Sequence, residues 1–346
     1  MQSFDDFGLK PHKPLALTQG DPSGIGPELA LKAWLRSRRD PTAATFFVVA
    51  DPRHLSDLAR RFGWAVPIAE IDPQDAAGVF PDALPVLPLT RPVRGQLGVP
   101  DAADAAGTIE SIETCVRLVN DGVAAAVVTN PISKDVLQRS GFAHPGHTEF
   151  LGELARRLCG AEVRPVMMLW SRQLVVVPAT VHIPLVDVPK QLTTKLVVET
   201  TRIVVHDLVA RFSIEAPRVA VCGLNPHAGE NGRMGDEETR IIMPAIAELQ
   251  REGLNVRGPF PADTMFHRAA RANYDVAIAM YHDQALIPVK TLAFDTAVNV
   301  TLGLPFVRTS PDHGTAFDIA AQGKADPSSL IAALQLATRL AFTGRT

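Results

Sequence analysis

Short apolar runs recur along the chain, and each is cut off by a polar or Gly/Pro cluster. Residues 15–18, 46–50, 123–128, 163–170, 174–181, 218–222 and 274–280 read as buried strands. Between them lie amphipathic stretches with a helical period. One runs from about Pro27 to Arg39, one over 54–62, and one over 101–120 with Ile109, Ile112, Val116 and Val119 on a single stripe. Ser133 caps a short helix, and another runs to about Cys159. Residues 193–212 form a long helix capped by Thr193, and 236–251 form one that Pro244 should kink. A short helix follows Thr315, and the last spans 327–342. Residues 65–100 are Pro-rich, with short extended pieces such as 86–89, and residues 1–13 read as a loose arm. Strands alternating with helices predict an α/β protein with a largely parallel sheet. Ser171-Arg172 is the turn of an adjacent strand pair, 163–170 with 174–181.

Three of the runs end in the same way. The run 174–181 meets His182, the run 218–222 leads through Gly223-Leu224-Asn225-Pro226 to His227, and 274–280 meets Tyr281-His282-Asp283-Gln284. In a parallel sheet the carboxyl ends of strands share one edge, where ligands bind. Three imidazoles converging there suit a divalent metal with open positions, and imidazole favours transition metals over magnesium. The bland alternative is a set of ordinary structural histidines.

Composition narrows the field. A chain of 346 residues is long enough for two domains, and 46% hydrophobic with 21% charged residues is ordinary for a globular protein. The net charge of −3 gives no basic field for nucleic acid or an anionic membrane. The three cysteines, Cys115, Cys159 and Cys222, form no CxxC pair, which predicts free thiols in a reducing cytoplasm. Residues 1–14 carry acidic residues and no apolar core, so they do not read as a signal peptide, and no apolar run approaches the roughly 20 residues needed to span a bilayer.

Other residues carry candidate chemistry. Gly20-Asp21-Pro22-Ser23-Gly24-Ile25-Gly26-Pro27-Glu28 opens a helix, and its glycines would allow close backbone approach. It is not a dinucleotide fingerprint, because Leu29 stands where a third Gly or Ala belongs, and it lacks a P-loop lysine. His147 and Thr148 at a helix start offer an anion site or a simple cap. Lys290 and Arg308 are phosphate or carboxylate clamps, or solvated charges.

Taken together, these motifs resemble the family of 4-hydroxythreonine-4-phosphate dehydrogenases of vitamin B6 biosynthesis. The resemblance runs from residue 15 to about 326. It is carried by the Gly20–Glu28 run, Thr129-Asn130-Pro131-Ile132-Ser133-Lys134, Gly146-His147-Thr148-Glu149, Leu224-Asn225-Pro226-His227-Ala228-Gly229-Glu230, Pro261-Ala262-Asp263-Thr264, Tyr281-His282-Asp283-Gln284, Asn299-Val300-Thr301-Leu302-Gly303-Leu304-Pro305 and Arg308-Thr309-Ser310-Pro311-Asp312-His313-Gly314-Thr315. The family usually has Ala at the position of Ser23. The resemblance implies a two-domain α/β fold like that of isocitrate and isopropylmalate dehydrogenases, with the active site in the interdomain cleft. The first domain would comprise 1–140 plus 300–346, and the second, 141–299, would carry the metal ligands and the dimer interface. It implies a cytoplasmic homodimer whose site is partly shared across the interface.

By the same resemblance His182, His227 and His282 bind a divalent metal (zinc, magnesium or cobalt). His147, Thr148, Lys290, Asn299 and Arg308 contact a small phosphorylated hydroxy amino acid, and NAD or NADP is the oxidant. Oxidation at C3 of 4-phosphooxy-threonine gives 2-amino-3-oxo-4-phosphooxybutanoate, which decarboxylates to 3-amino-2-oxopropyl phosphate. Lys290, Asp263 and Asp283 are the candidate bases. Alternatives are oxidation of threonate or erythronate 4-phosphate or a cyclic diol, a metal-dependent hydrolase or aldolase on the same histidines, and a non-enzymatic binding protein.

Overall fold

The computed structural model describes residues 13–142, 144 and 146–343. Most of the expected N-terminal arm, residues 1–12, therefore lies outside the described residues. Five strands come first: β1 (Leu15–Thr18), β2 (Phe46–Ala50), β3 (Ile68–Glu70), β4 (Leu84–Pro88) and β5 (Val127–Val128). Six follow: β6 (Val166–Trp170), β7 (Val175–Pro178), β8 (Val219–Cys222), β9 (Val256–Phe260), β10 (Val276–Ala279) and β11 (Val298–Leu302). The last is β12 (Arg308–Pro311).

The chain divides into two compact units. The first runs to Pro165 and resumes over Leu304–Phe342; the second is Val166–Gly303. In the first, the strand order is β3-β4-β2-β1-β5-β12, every pair parallel. β1 and β2 are buried along their whole length, as expected for unbroken apolar runs covered on both faces. In the second, the order is β11-β6-β7-β10-β8-β9. Here β11/β6 and β6/β7 are antiparallel, and the pairs from β7 onward are parallel. The α/β reading is borne out, and so is the turn between β6 and β7.

The changeover between units at Pro165 falls later than the expected 140, and the return at Leu304 lies close to the expected 300. The cause is the helix His147–Cys159. Its Phe150, Leu151, Leu154 and Ala155 join Phe47, Val49, Ile112, Cys115 and Val127 in the first core. Burying that stripe stabilises by roughly 25 cal/mol per Å² of apolar surface, so the helix stays with the unit it covers.

The helices follow the pattern with local differences. Thr193 caps Thr194–Phe212 by accepting from Leu196 N at 3.1 Å, and Ser133 caps Lys134–Arg139 through Val136 N at 3.3 Å. The expected strand over 123–128 shortens to β5, because Val123 N and Ala124 N both donate to Leu118 O and close the preceding helix. The helix expected over 236–251 is two: a π-helical turn, Glu238–Ile242, then an α-helix, Met243–Arg251, with Pro244 in its first turn. Proline lacks the N–H that would continue the ladder, which places the change of winding there. The short helix expected after Thr315 is a run of turns. Ala316 takes φ +43°, and Ile319 N and Gln322 N each donate to the carbonyl three residues back.

The second unit's core gathers Leu169, Leu174, Val176, Ala220, Cys222, Ala277, Ala279 and Val289. All three cysteines are free thiols. Among the described residues no helix is long and apolar enough to cross a membrane.

Candidate active site

In the second unit, β7, β10 and β8 are neighbours and parallel, so their carboxyl ends lie on one edge. His182 stands just past β7, His227 lies in the loop after β8, and His282 opens the helix His282–Ala293 after β10. The rings of His182 and His282 have centroids 5.5 Å apart, tilted by 43°. Both loop histidines sit in the left-handed region, His182 at φ +49° and His227 at φ +53°. His227 begins five consecutive left-handed residues that end at Asn231. Such backbone costs of order 1 kcal/mol or more at each non-glycine residue and concentrates at functional sites.

That loop is braced by a buried carboxylate, Glu238. Its Oε1 accepts from Asn225 N at 2.7 Å and its Oε2 from Asn225 Nδ2 at 2.9 Å, while Glu237 Oε2 accepts from the same amide at 2.8 Å. Gly229 has φ +77°, and a Cβ there would stand 2.6 Å from Glu238 Oε2, so only glycine fits.

The donor chemistry suits a metal at the pair. His282 Nδ1 lies 2.7 Å from Asp283 Oδ1, which orients the ring and leaves Nε2 as the nitrogen that could ligate a metal. His227 is not gathered with the other two: among the described residues no group of three or more His, Cys, Asp or Glu is assembled that could hold a metal ion.

The remaining second-unit candidates lie on several elements. Lys290 lies further along the His282 helix, half-buried, its Nζ 6.0 Å from the centroid of the Phe294 ring. Asn299 is half-buried on β11, which pairs with β6. Asp263 is exposed in the turn Ala262–Thr264 after β9, and Asp283 is exposed beside His282.

In the first unit, His147 and Thr148 open the helix His147–Cys159, and Arg308 opens β12. Arg308 is buried, and its Nε and Nη2 donate to Thr129 Oγ1 at 3.2 and 2.6 Å. Burial pushes its pKa down to about 10. His147 Nε2 is buried with no hydrogen-bond partner in the protein. Burial first, and the Arg308 charge second, hold this imidazole well below its usual pKa of 6.5. A neutral imidazole, a guanidinium and the positive end of a helix thus share one region, a combination that favours an anion.

The glycines of the Gly20–Glu28 loop are packed closely against the chain itself. Gly20 (φ +74°) is packed on Asn130: a Cβ there would meet Asn130 Cβ and Pro131 O at 2.7 Å. Here glycine admits the protein's own backbone.

Thr129, Thr180, Glu238 and Gln284 were given no role from the sequence. The available signal was weak: Thr180 is a lone polar residue in an apolar run, and Thr129, Glu238 and Gln284 sit in polar clusters that give no sign of which member is buried.

A sequence model described as "Pyridoxal phosphate biosynthetic protein PdxA" matches residues 42–337. A 4-hydroxythreonine-4-phosphate dehydrogenase of Methylorubrum populi is 60% identical over 331 residues, covering 95% of each chain. Among solved structures, a 4-hydroxythreonine-4-phosphate dehydrogenase from Klebsiella pneumoniae superimposes with TM-score 0.85 at 37% identity, covering 95% of this chain and 98% of that one. A terephthalate 1,2-cis-dihydrodiol dehydrogenase from Burkholderia xenovorans LB400 gives TM-score 0.61 at 28% identity, covering 94% and 98%.

Proposed function

The chain belongs to the family of the pyridoxal phosphate biosynthetic protein PdxA and is a dehydrogenase; from that premise we propose that it oxidises 4-phosphooxy-threonine at the C3 hydroxyl, with a divalent metal and NAD or NADP. The product is 2-amino-3-oxo-4-phosphooxybutanoate, a β-keto acid that loses carbon dioxide to give 3-amino-2-oxopropyl phosphate. The observation that carries the metal-assisted reading is the His182–His282 pair at the carboxyl ends of parallel strands, with Asp283 behind it.

His182, His227 and His282 would hold the metal, and imidazole ligands favour zinc or cobalt over magnesium. When bound, the metal supplies a Lewis acid for the hydroxyl and keto oxygens, and the nicotinamide supplies the hydride acceptor. The chain's own residues do the rest. Arg308, His147 and Thr148 bind and orient the anionic substrate, supported by the buried guanidinium and the unpartnered Nε2. Lys290 and Asn299 complete the substrate contacts. The hydroxyl proton goes to Lys290 or Asp263; the Asp283 carboxylate is engaged with His282 Nδ1, which favours an orienting role for it.

A homodimer that completes the site is part of the same reading. Its support is apolar exposure in the second unit: Leu185 is 67% exposed, Val186 70%, Ile287 65% and Phe294 73%. Light scattering that gives a monomer mass at micromolar concentration would remove this part. The free cysteines support a cytoplasmic location.

The test of the reaction is absorbance of reduced nicotinamide with 4-phosphooxy-threonine and NAD, before and after chelation and with zinc, cobalt or magnesium restored. Metal-dependent growth of the band is expected. Growth only with threonate or erythronate phosphate, or with a cyclic diol, keeps the chemistry and replaces the substrate. No growth with any of them, with metal bound, overturns the oxidation.

A further inference from the structure

Between β4 and the helix Ala105–Asn120 lies a strap, Thr90–Gly98, with neither strand nor helix of its own. Every N–H from Thr90 to Gly95 donates to a side-chain carboxylate. Thr90 N and Arg91 N go to Glu110 at 2.7 and 3.1 Å, and Val93 N goes to Asp51 Oδ2 at 3.3 Å. Arg94 N and Gly95 N go to Asp104 at 2.7 and 3.0 Å, and Pro92 has no N–H to give. The next backbone tie is Gly98 N to Ser23 O at 2.8 Å. The three carboxylates stand on or beside regular elements: Asp51 caps the helix Pro52–Arg61, Asp104 directly precedes the helix Ala105–Asn120, and Glu110 lies within it. The strap therefore hangs on side chains, where a strand or helix would hang on its own ladder.

Three buried groups adjoin it. Gln19 Nε2 and Oε1, Ser23 Oγ and His54 Nε2 are all buried without a hydrogen-bond partner in the protein. A Cβ on Gly107 would stand 2.8 Å from Val93 Cγ1 and 3.5 Å from both Arg91 O and Gln19 Nε2, so the strap and the Gln19 amide crowd one point. Gly95 rests on the His54 ring with no room for a side chain, and Gly98 bonds the backbone of Ser23.

Closure sets two effects against each other. Hydrogen bonds to ionised carboxylates are stronger than neutral ones and hold the strap down. Four polar atoms left unpaired at its inner side each carry a desolvation cost that water would remove. Thr90, Arg91, Pro92, Arg94 and Gln96 are exposed, so their side chains add little burial to the closed side. A segment balanced in this way opens well below the free energy of global unfolding.

We propose that Thr90–Gly98 opens and closes as one piece on an otherwise folded first unit, hung on Asp51, Asp104 and Glu110, and that opening hydrates Gln19, Ser23 and His54. The device stands on the first unit alone and is independent of the proposed reaction.

The test is amide hydrogen exchange of the full chain, read residue by residue and corrected for intrinsic rates. The amides of Thr90, Arg91, Val93, Arg94 and Gly95 should share one rate, on the order of 100-fold faster than those of β1 and β2. Asp104→Asn keeps the shape and removes the charge. It should speed exchange about tenfold at Arg94 and Gly95, and equally at Thr90 and Arg91, which Asp104 does not touch. Glu110→Gln should do the converse and speed Val93, Arg94 and Gly95. Gln19→Met removes both unpaired amide atoms in a side chain of similar length, and it should slow the whole strap about tenfold.

Strap amides as slow as those of β2 overturn the opening. Acceleration confined to the amides whose own acceptor was changed overturns the single piece. Exchange unchanged in Gln19→Met overturns the hydration that drives it. If Asp104→Asn does not fold, Glu110→Gln decides whether the strap moves as one.

Discussion

The two units finish the carboxyl ends of their strands in opposite ways. In the first, the Gln19 amide, Ser23 Oγ, Asn130 Oδ1 and His147 Nε2 are buried without a hydrogen-bond partner in the protein. In the second, Thr180, Gln284, Asn225 and Glu238 bond to each other and to the backbone. Buried polar groups in native proteins are nearly always paired, so groups unpaired within the chain look to water or ligand. The lesson is a division of labour. At the strand ends named here, the first unit keeps buried polar atoms unpaired within the chain, and the second pairs them internally.

The sharpest way to break this comparison is to remove an imidazole from the second unit. His282→Ala should lower metal-dependent turnover on the order of a thousandfold, because Lewis-acid stabilisation is worth several kcal/mol. The side chain is one-third exposed, so the melting temperature should barely change. Native turnover with native metal content would sink the assignment of the second unit.

The first unit should respond next in size, and in a different parameter. Arg308→Lys keeps a positive charge but loses the fork that reaches Thr129 Oγ1. Lysine is a poor substitute at a forked anion contact, so kcat/KM should fall roughly 10- to 100-fold, mainly through KM. Unaltered cobalt binding in the same variant would sharpen the contrast. An equal loss of metal affinity would erase it.

Ligands should also map the difference directly. Inorganic phosphate should slow amide hydrogen exchange at 146–150, where the His147 Nε2 gains a partner, and around Thr129 and Arg308. Zinc should slow it at 180–182, 225–231 and 280–284. The expected protection is modest, set by the free energy of each ligand at the concentration used. Protection of both regions by either ligand alone would mean that the halves are not chemically distinct.

Much of this was legible in the sequence because period and punctuation carry it. The apolar runs ending at His182, His227 and His282 marked three strands, and these prove to be adjacent and parallel. Thr193 and Ser133 announced their helices by capping chemistry. What stayed hidden depends on contacts distant in sequence. Nothing local says that Gln284 reaches Gly223, 61 residues away, or that Arg308 reaches Thr129, 179 residues away. The left-handed run from His227 to Asn231 was equally opaque, because Glu230 and Asn231 take that backbone only when the surrounding structure holds them there. The meeting of His182 with His282, while His227 stays apart, likewise follows from loop geometry that residue spacing does not encode.

The smallest expected effect concerns Asp21, in the first unit's strand-end loop. Its Oδ1 accepts from Ser23 N at 3.0 Å, but burial, aided by the Asp104 charge, raises its pKa to about 6 from 3.8. The sign follows from proton binding. Between pH 3.8 and about 6 the folded chain keeps a proton that the unfolded chain has released, so this carboxyl makes stability fall as pH rises through that window and adds no further change above it. Asn can accept the same Ser23 bond without ionising. Asp21→Asn should therefore match the parent chain near pH 4 and exceed it at pH 8 by about 2 kcal/mol, read as a rise of a few degrees in melting temperature. Parallel melting curves for the two proteins across pH 4 to 8 would mean that the carboxyl is solvated in place. The first unit would then have water at its strand ends before any substrate arrives, and the contrast with the second would narrow to the imidazoles alone.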